Sequence, residues 1–142
     1  MDVQNVADLF VAATNKIEFY WNFYVVTLIA LVGWLVSTKR SLSVSLKLLI
    51  TVAYLVFVAM NILGLYGSYT FAEALRTDLL SMEGAKAISH THKVLQTHSY
   101  VGQRTGMFWI HAIVGVAVLL VIWLGRFGEI NSEESGRRHP DM

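Results

Sequence analysis

Three long stretches of the chain carry no charged side chain. They contain 20, 25 and 21 residues and run from Phe19 to Thr38, from Leu48 to Ala72 and from Thr105 to Gly125. About 20 mainly apolar residues in a helix are enough to cross the roughly 30 Å hydrocarbon core of a bilayer. We therefore predict an all-α integral membrane protein with three transmembrane helices. The predicted spans are about 19–36, 48–66 and 107–124.

The 40 residues between the second and third spans have a helical pattern of their own. Apolar positions recur at helical spacing, first at Phe71, Leu75, Leu79 and Met82, then at Ile88, His92 and Leu95. A structureless loop of this length would be unusual. We expect one or two amphipathic helices in this outer segment, 67–106, on the membrane surface or capping the bundle. Residues 1–125 then form a single transmembrane domain, and 126–142 a polar, disordered cytoplasmic tail.

The link between the first two spans predicts the orientation. It carries Lys39, Arg40 and Lys47 and no acidic residue, and short loops rich in Lys and Arg stay in the cytoplasm. The N-terminus is therefore expected outside and the C-terminus in the cytoplasm, in a bacterial inner membrane. Aromatic residues such as Trp21 and Tyr24 are expected in the outer interfacial belt.

Composition agrees with a membrane protein and removes several function classes. Hydrophobic residues make up 55% of the chain and charged residues 15%, against roughly 25% charged in soluble domains. A net charge of +1 provides no basic face for nucleic acid. The absence of cysteine excludes disulfides and thiolate metal sites. No nucleotide-binding or hydrolase motif is present, so the sequence indicates no enzyme activity.

Each predicted span has a stripe of polar or small residues at helical spacing. Such stripes are expected to face protein or water, because lipid offers no partner to a polar group. The stripes are Glu18, Asn22, Val26, Ala30, Gly33 and Ser37; Thr51, Tyr54, Val58, Asn61, Gly64 and Ser68; and Arg104, Met107, His111 and Gly115.

Three of these polar residues lie at one predicted depth. Asn22, Asn61 and His111 fall roughly 6–9 Å below the outer interface at ~1.5 Å per residue, with Glu18 above them. We predict that the four form an intramembrane polar layer. Its role is left open between hydrogen bonds that hold helices together, a site for a proton or ligand, and a metal or haem ligand.

Histidines outside the spans are candidate metal ligands, namely His90, His92 and His98. Imidazole is a common ligand for Zn²⁺ and Cu²⁺. On a helix, however, His90 and His92 point about 200° apart. Haem in a helical bundle usually takes ligands from two facing helices, and His111 is the only histidine within a span. We therefore expect no cofactor.

Three helices bury little of one another, so their small-residue faces call for further helices. We expect a small non-catalytic subunit, with a structural or assembly role, in a larger membrane complex. Its partners would be membrane lipid and other membrane subunits or copies of itself. Two alternatives stay open: a homo-oligomeric channel or transporter with Asn22, Asn61 and His111 lining an outer vestibule, and a redox subunit binding haem or copper through histidines.

Overall fold

The structure is a computed structural model that describes residues 2–38, 42–82 and 89–124, without the side chains of 89–91. Within these ranges it contains four helices and no strand: α1 (Val3–Ser37), α2 (Val44–Ser81), α3 (Ser89–Thr97) and α4 (Tyr100–Leu124). Helices α1, α2 and α4 are each long and apolar enough to cross a membrane. The predicted all-α fold with three spanning helices is confirmed. The predicted tail, 126–142, lies outside the described residues.

Two of the spanning helices are much longer than a bilayer requires. Helix α1 has 35 residues and α2 has 38, which correspond to about 52 and 57 Å at ~1.5 Å per residue. Apart from Lys47 in the first turn of α2, their charged residues lie toward the start of α1 and the end of α2, among them Lys16, Glu73 and Arg76. The first half of α1 and the second half of α2 are therefore the parts that project beyond the hydrocarbon core. We call this the N-terminal end of the bundle, since α1 begins there.

The amphipathic stretch predicted at 71–82 is a continuation of α2. Seven of the eight buried positions of this helix follow one another at steps of three, four or seven residues, namely Tyr54, Asn61, Leu65, Ser68, Ala72, Leu75 and Leu79, and the eighth, Tyr69, adjoins Ser68. This is a seam in the heptad pattern of helices that pack side by side. Because the seam runs on in phase without a proline, the helix does not stop at the membrane surface. Phe71 lies off the seam and is 50% exposed.

Helix α2 is central, packing against α1 along one side and against α4 along another. A core at the N-terminal end joins the first half of α1 to the last half of α2, with Leu95 of α3 packed against it. Its buried members are Val6, Ala13, Ile17, Leu65, Tyr69, Ala72, Leu75, Leu79 and Met107. A second core at the opposite end consists of Leu35, Tyr54, Val118 and Ile122. The three long helices therefore form one bundle.

Hydrogen bonds at the opposite end join the start of α2 to the end of α4. Ser43 caps α2, since its hydroxyl accepts from the backbone N–H of Leu46 at 3.3 Å. Lys47 Nζ donates to the Trp123 carbonyl at 3.2 Å, and Trp123 Nε1 donates to Thr51 Oγ1 at 3.2 Å. The lysine places a positive charge beside the carbonyl end of α4, where the helix dipole favours it.

An ion pair on α2 holds the junction between α3 and α4. Arg76 donates to both carboxylate oxygens of Glu73, at 2.6 and 3.1 Å. Its Nη1 also donates to the Leu95 carbonyl in the last turn of α3, at 2.7 Å, while Glu73 Oε2 accepts from the first N–H of α4, at Tyr100, at 3.0 Å. Each charge thus meets the helix end of opposite sign. The hydrogen bonds from Arg76 hold the pKa of Glu73 below its usual value.

Candidate intramembrane polar site

Two of the four residues of the predicted polar layer contact each other inside the bundle. His111 Nε2 of α4 lies 3.0 Å from Asn61 Oδ1 of α2. Their side chains are 1% and 3% exposed. Both lie on the buried faces of their helices, one helical turn from the apolar residues Leu65 and Met107. The pair is therefore part of the interface between α2 and α4.

The contact continues on both sides to backbone carbonyls. Asn61 Nδ2 donates to the Tyr20 carbonyl of α1 at 3.0 Å. His111 Nδ1 lies 2.9 Å from the carbonyl of Met107, one turn earlier in α4. The result is a chain of four groups, from Tyr20 O through Asn61 and His111 to Met107 O. This chain links all three long helices.

Two aromatic rings of α1 lie against the imidazole. The centroid of the Tyr24 ring is 4.2 Å from that of His111, with the planes 32° apart, and the Trp21 ring is 5.1 Å away. Trp21 is held by a hydrogen bond from its Nε1 to Tyr69 Oη at 3.0 Å. Tyr24 was predicted in the interfacial belt, but it is 1% exposed and belongs to the core. The imidazole is therefore enclosed by rings and by the two neighbouring helices.

A glycine lets α1 and α2 approach at this level. A Cβ built on Gly64 would lie 2.8 Å from the hydroxyl oxygen of Tyr20 and closer still to its ring. Real Cβ atoms do not approach heavy atoms this closely, so alanine at this position would displace Tyr20. The backbone carbonyl of the same residue, Tyr20, accepts the hydrogen bond from Asn61.

Two buried tyrosine hydroxyls lie next to this site, and neither makes a well-formed hydrogen bond to another described residue. They belong to Tyr24 and Tyr54, and the two phenols are neighbours across the α1–α2 interface. Buried hydroxyls are usually paired, so these two are a notable polar feature. Tyr54 was part of the predicted stripe on the second span, whereas Tyr24 was not in a stripe. Tyr24 lies seven residues after Ile17, on the buried face of α1, and this spacing is the signal that would have identified it.

The other two residues of the predicted layer lie elsewhere. Glu18 and Asn22 are both exposed on α1, whereas Ile17 and Tyr24 occupy its buried face. Asn22 precedes Tyr24 by two positions, which is about 200° around a helix. The structure therefore brings together Asn61 and His111 but places Glu18 and Asn22 on the side of α1 that points away from the bundle.

The histidines proposed as metal ligands do not gather in the part of the chain that the structure describes. His98 is exposed and His92 partly buried, while the side chain of His90 lies outside the described residues. In the described ranges no group of three His, Cys, Asp or Glu side chains is arranged to hold a metal ion.

Comparisons with protein-family models, with curated proteins and with solved structures found no match to this chain. The features that bear on function are therefore those of the molecule itself. They are three spanning helices, a buried polar chain that joins them, and a polar face of α1 that is exposed among the described residues. Together they describe a multi-pass integral membrane protein.

Proposed function

We propose that this chain is a small non-catalytic subunit, with a structural or assembly role, of a larger membrane complex. One observation carries the proposal: the whole polar and small-residue stripe of α1 faces outward from the bundle. Every residue of that stripe is exposed: Glu18, Asn22, Val26, Ala30, Gly33 and Ser37.

An outward stripe of this kind supports contact with another helix. Lipid gives the Asn22 amide no hydrogen-bond partner, and small residues let helix backbones come close. The space around Gly33 is open, since a Cβ built there meets nothing within 4 Å. Only 11% to 22% of the residues in the most apolar window of each spanning helix are buried. Most of the bundle surface therefore remains available to lipid and to partner subunits.

The two other functions considered from the sequence have less support. Asn61 and His111 bond to each other inside one chain, so a channel vestibule between copies would have to be lined by the α1 stripe instead. Both ring nitrogens of His111 lie within 3.0 Å of oxygen atoms. Neither nitrogen is free to bind haem iron or copper unless one of these contacts breaks.

The experiment compares one substitution on two faces of the bundle. Ala30→Leu places a bulky side chain on the α1 stripe, and Ala117→Leu makes the same change on the exposed face of α4. The chain is purified in a mild detergent and its native mass and co-purifying proteins are measured. We expect a complex larger than one chain, weakened by Ala30→Leu and unaffected by Ala117→Leu.

Two results would contradict the subunit proposal. One is a native mass of a single chain in every mild detergent. The other is a complex that Ala30→Leu and Ala117→Leu affect equally, since the α1 stripe would then have no special part in assembly. A ring containing only this chain would favour the channel alternative.

A further inference from the structure

The polar chain through the bundle has a hydrogen-bond acceptor at each end. Tyr20 O and Met107 O are backbone carbonyls, which accept hydrogen bonds and never donate. Between them stand only Asn61 and His111. Each of the three contacts, at 2.9 to 3.0 Å, needs one proton between its two heavy atoms.

The number of protons decides the state of the imidazole. An amide that donates from Nδ2 to Tyr20 O presents its oxygen to His111, so both ring nitrogens of His111 then face oxygen. A neutral imidazole carries a proton on one nitrogen only, which leaves a bare nitrogen against an oxygen. Turning the Asn61 amide over moves the mismatch to Tyr20 O and does not remove it. With neutral members and this orientation of the ring, the chain is therefore one proton short whichever way the amide is turned.

We propose that Asn61 and His111 form a proton-binding site that holds His111 as an imidazolium, with the ligand being one proton. The doubly protonated ring donates to Asn61 Oδ1 and to Met107 O, and all three contacts are satisfied. This proposal stands independently of the subunit role, because it concerns groups within a single chain.

The surroundings of His111 offset part of the cost of a charge in the membrane. That cost is substantial for any isolated ion in hydrocarbon. Hydrogen bonds from a charged donor are roughly twice as strong as neutral ones, and the imidazolium makes two. The faces of aromatic rings attract cations, and Trp21 and Tyr24 lie 5.1 and 4.2 Å away.

The described groups that face the imidazole carry no second charge. They are Trp21 and Tyr24 from α1, Asn61 from α2 and the Met107 carbonyl from α4. The Tyr54 hydroxyl of α2 borders the same groove between α2 and α4, which has a volume of about 350 Å³. Among the described residues no carboxylate pairs with His111. The proton is therefore held by neutral acceptors and rings, and its loss puts two lone pairs in contact at the α2–α4 interface.

The test is ¹⁵N NMR of the full chain, labelled at histidine and placed in lipid nanodiscs. A His111→Gln sample identifies the His111 resonances. We expect both ring nitrogens of His111 to be of the protonated type at about pH 6, and one to become bare as the pH is raised. One bare nitrogen at about pH 6 would overturn the proposal.

A pair of asparagine variants then tests the origin of the charge. Asn61→Leu removes one acceptor, so the pH at which His111 loses its second proton should fall by about 1 to 2 units, as expected for a lost hydrogen bond to a charged group. Asn15→Leu makes the same change at an exposed position of α1 outside the stripe and should leave the titration unchanged. Equal titrations of wild type and Asn61→Leu would show that the chain of acceptors does not hold the proton.

Discussion

Replacing Glu73 by glutamine should loosen the junction between α3 and α4. The carboxylate accepts two hydrogen bonds from Arg76 and one from the backbone N–H of Tyr100, at 2.6 to 3.1 Å. Glutamine keeps the shape and one acceptor oxygen but removes the negative charge. The start of α4 therefore loses the anion that faces its positive end, and Arg76 loses its ionic partner.

The size of the effect follows from the exposure of the pair. The side chains of Arg76 and Glu73 are 13% and 23% exposed, so solvent screens them only in part. A charge at a helix N-terminus contributes about 0.3–1 kcal/mol, and an accessible ion pair about 0.2–1 kcal/mol. The sum is about 0.5–2 kcal/mol, which corresponds to roughly a 2- to 30-fold change in a local opening equilibrium.

Hydrogen exchange at the Tyr100 amide measures this opening directly. The purified chain is compared in nanodiscs as wild type, Glu73→Gln and Asp78→Asn. Asp78 is an exposed acid on the same helix, so its replacement makes the same charge change away from the junction. We expect exchange at Tyr100 to accelerate roughly 2- to 30-fold in Glu73→Gln and to stay within about twofold of wild type in Asp78→Asn. Equal effects of the two variants would refute the reasoning.

The same contact predicts a pH dependence with a definite sign. The folded-state pKa of Glu73 is lowered, first by the hydrogen bonds from Arg76, so the folded chain releases this proton more readily than the unfolded one. The ionised Glu73 carboxylate stabilises the junction fully above the pKa of an ordinary Glu, about 4.3. This stabilisation is lost as the pH falls through the lowered pKa of the folded chain. Protection of the Tyr100 amide, corrected for intrinsic exchange rates, should decrease there in wild type. Protection in Glu73→Gln should show no such step.

Three further predictions concern packing, the polar pair and orientation. Gly64→Ala should destabilise the chain by about 1 kcal/mol in detergent-induced unfolding, because overpacking against the Tyr20 ring exceeds the gain in helix propensity. Gly33→Ala, in open space, should leave the stability unchanged or raise it. A Gly33→Ala variant less stable than Gly64→Ala would contradict this. A double-mutant cycle of Asn61→Leu with His111→Leu should give a coupling of about 0.5–2 kcal/mol, whereas additivity within about 0.3 kcal/mol would mean that the two side chains do not interact. Ser43→Cys, the sole cysteine of the variant, should react with an impermeant maleimide only after the cells are opened; labelling of intact cells would reverse the predicted orientation.

Much of the fold can be read from the sequence because its cause is local. Uncharged stretches of 20 residues or more have to satisfy their backbone within a helix when they enter lipid, and this is independent of any neighbour. The stripes on the second and third spans contain the buried positions Tyr54, Asn61, Met107 and His111. The helical pattern at 71–82 is also visible, and its unbroken phase with Tyr54, Asn61 and Leu65, without a proline, is the signal that it joins the preceding span.

The face that α1 presents to the bundle is a property of the tertiary structure. Its polar stripe, with Asn22 at the centre, was expected to point inward, yet the helix buries Ile17 and Tyr24 instead. Periodicity shows which residues of one helix share a face, but it cannot show how far that helix is rotated relative to the next. That rotation depends on the fit of particular side chains, as where Tyr20 packs over the bare backbone of Gly64.

The sequence by itself therefore determined the three membrane-spanning helices, since hydrophobic length and helical periodicity act within each segment. Only the tertiary structure decided that Asn61 meets His111, that Glu73 and Arg76 close the α3–α4 junction, and that Asn22 faces outward. The first two depend on contacts between residues 19 to 50 positions apart in the chain, and the third depends on the rotation of α1 against α2. A close-packed interior admits few such rotations, and the selection among them is made by all the contacting side chains together.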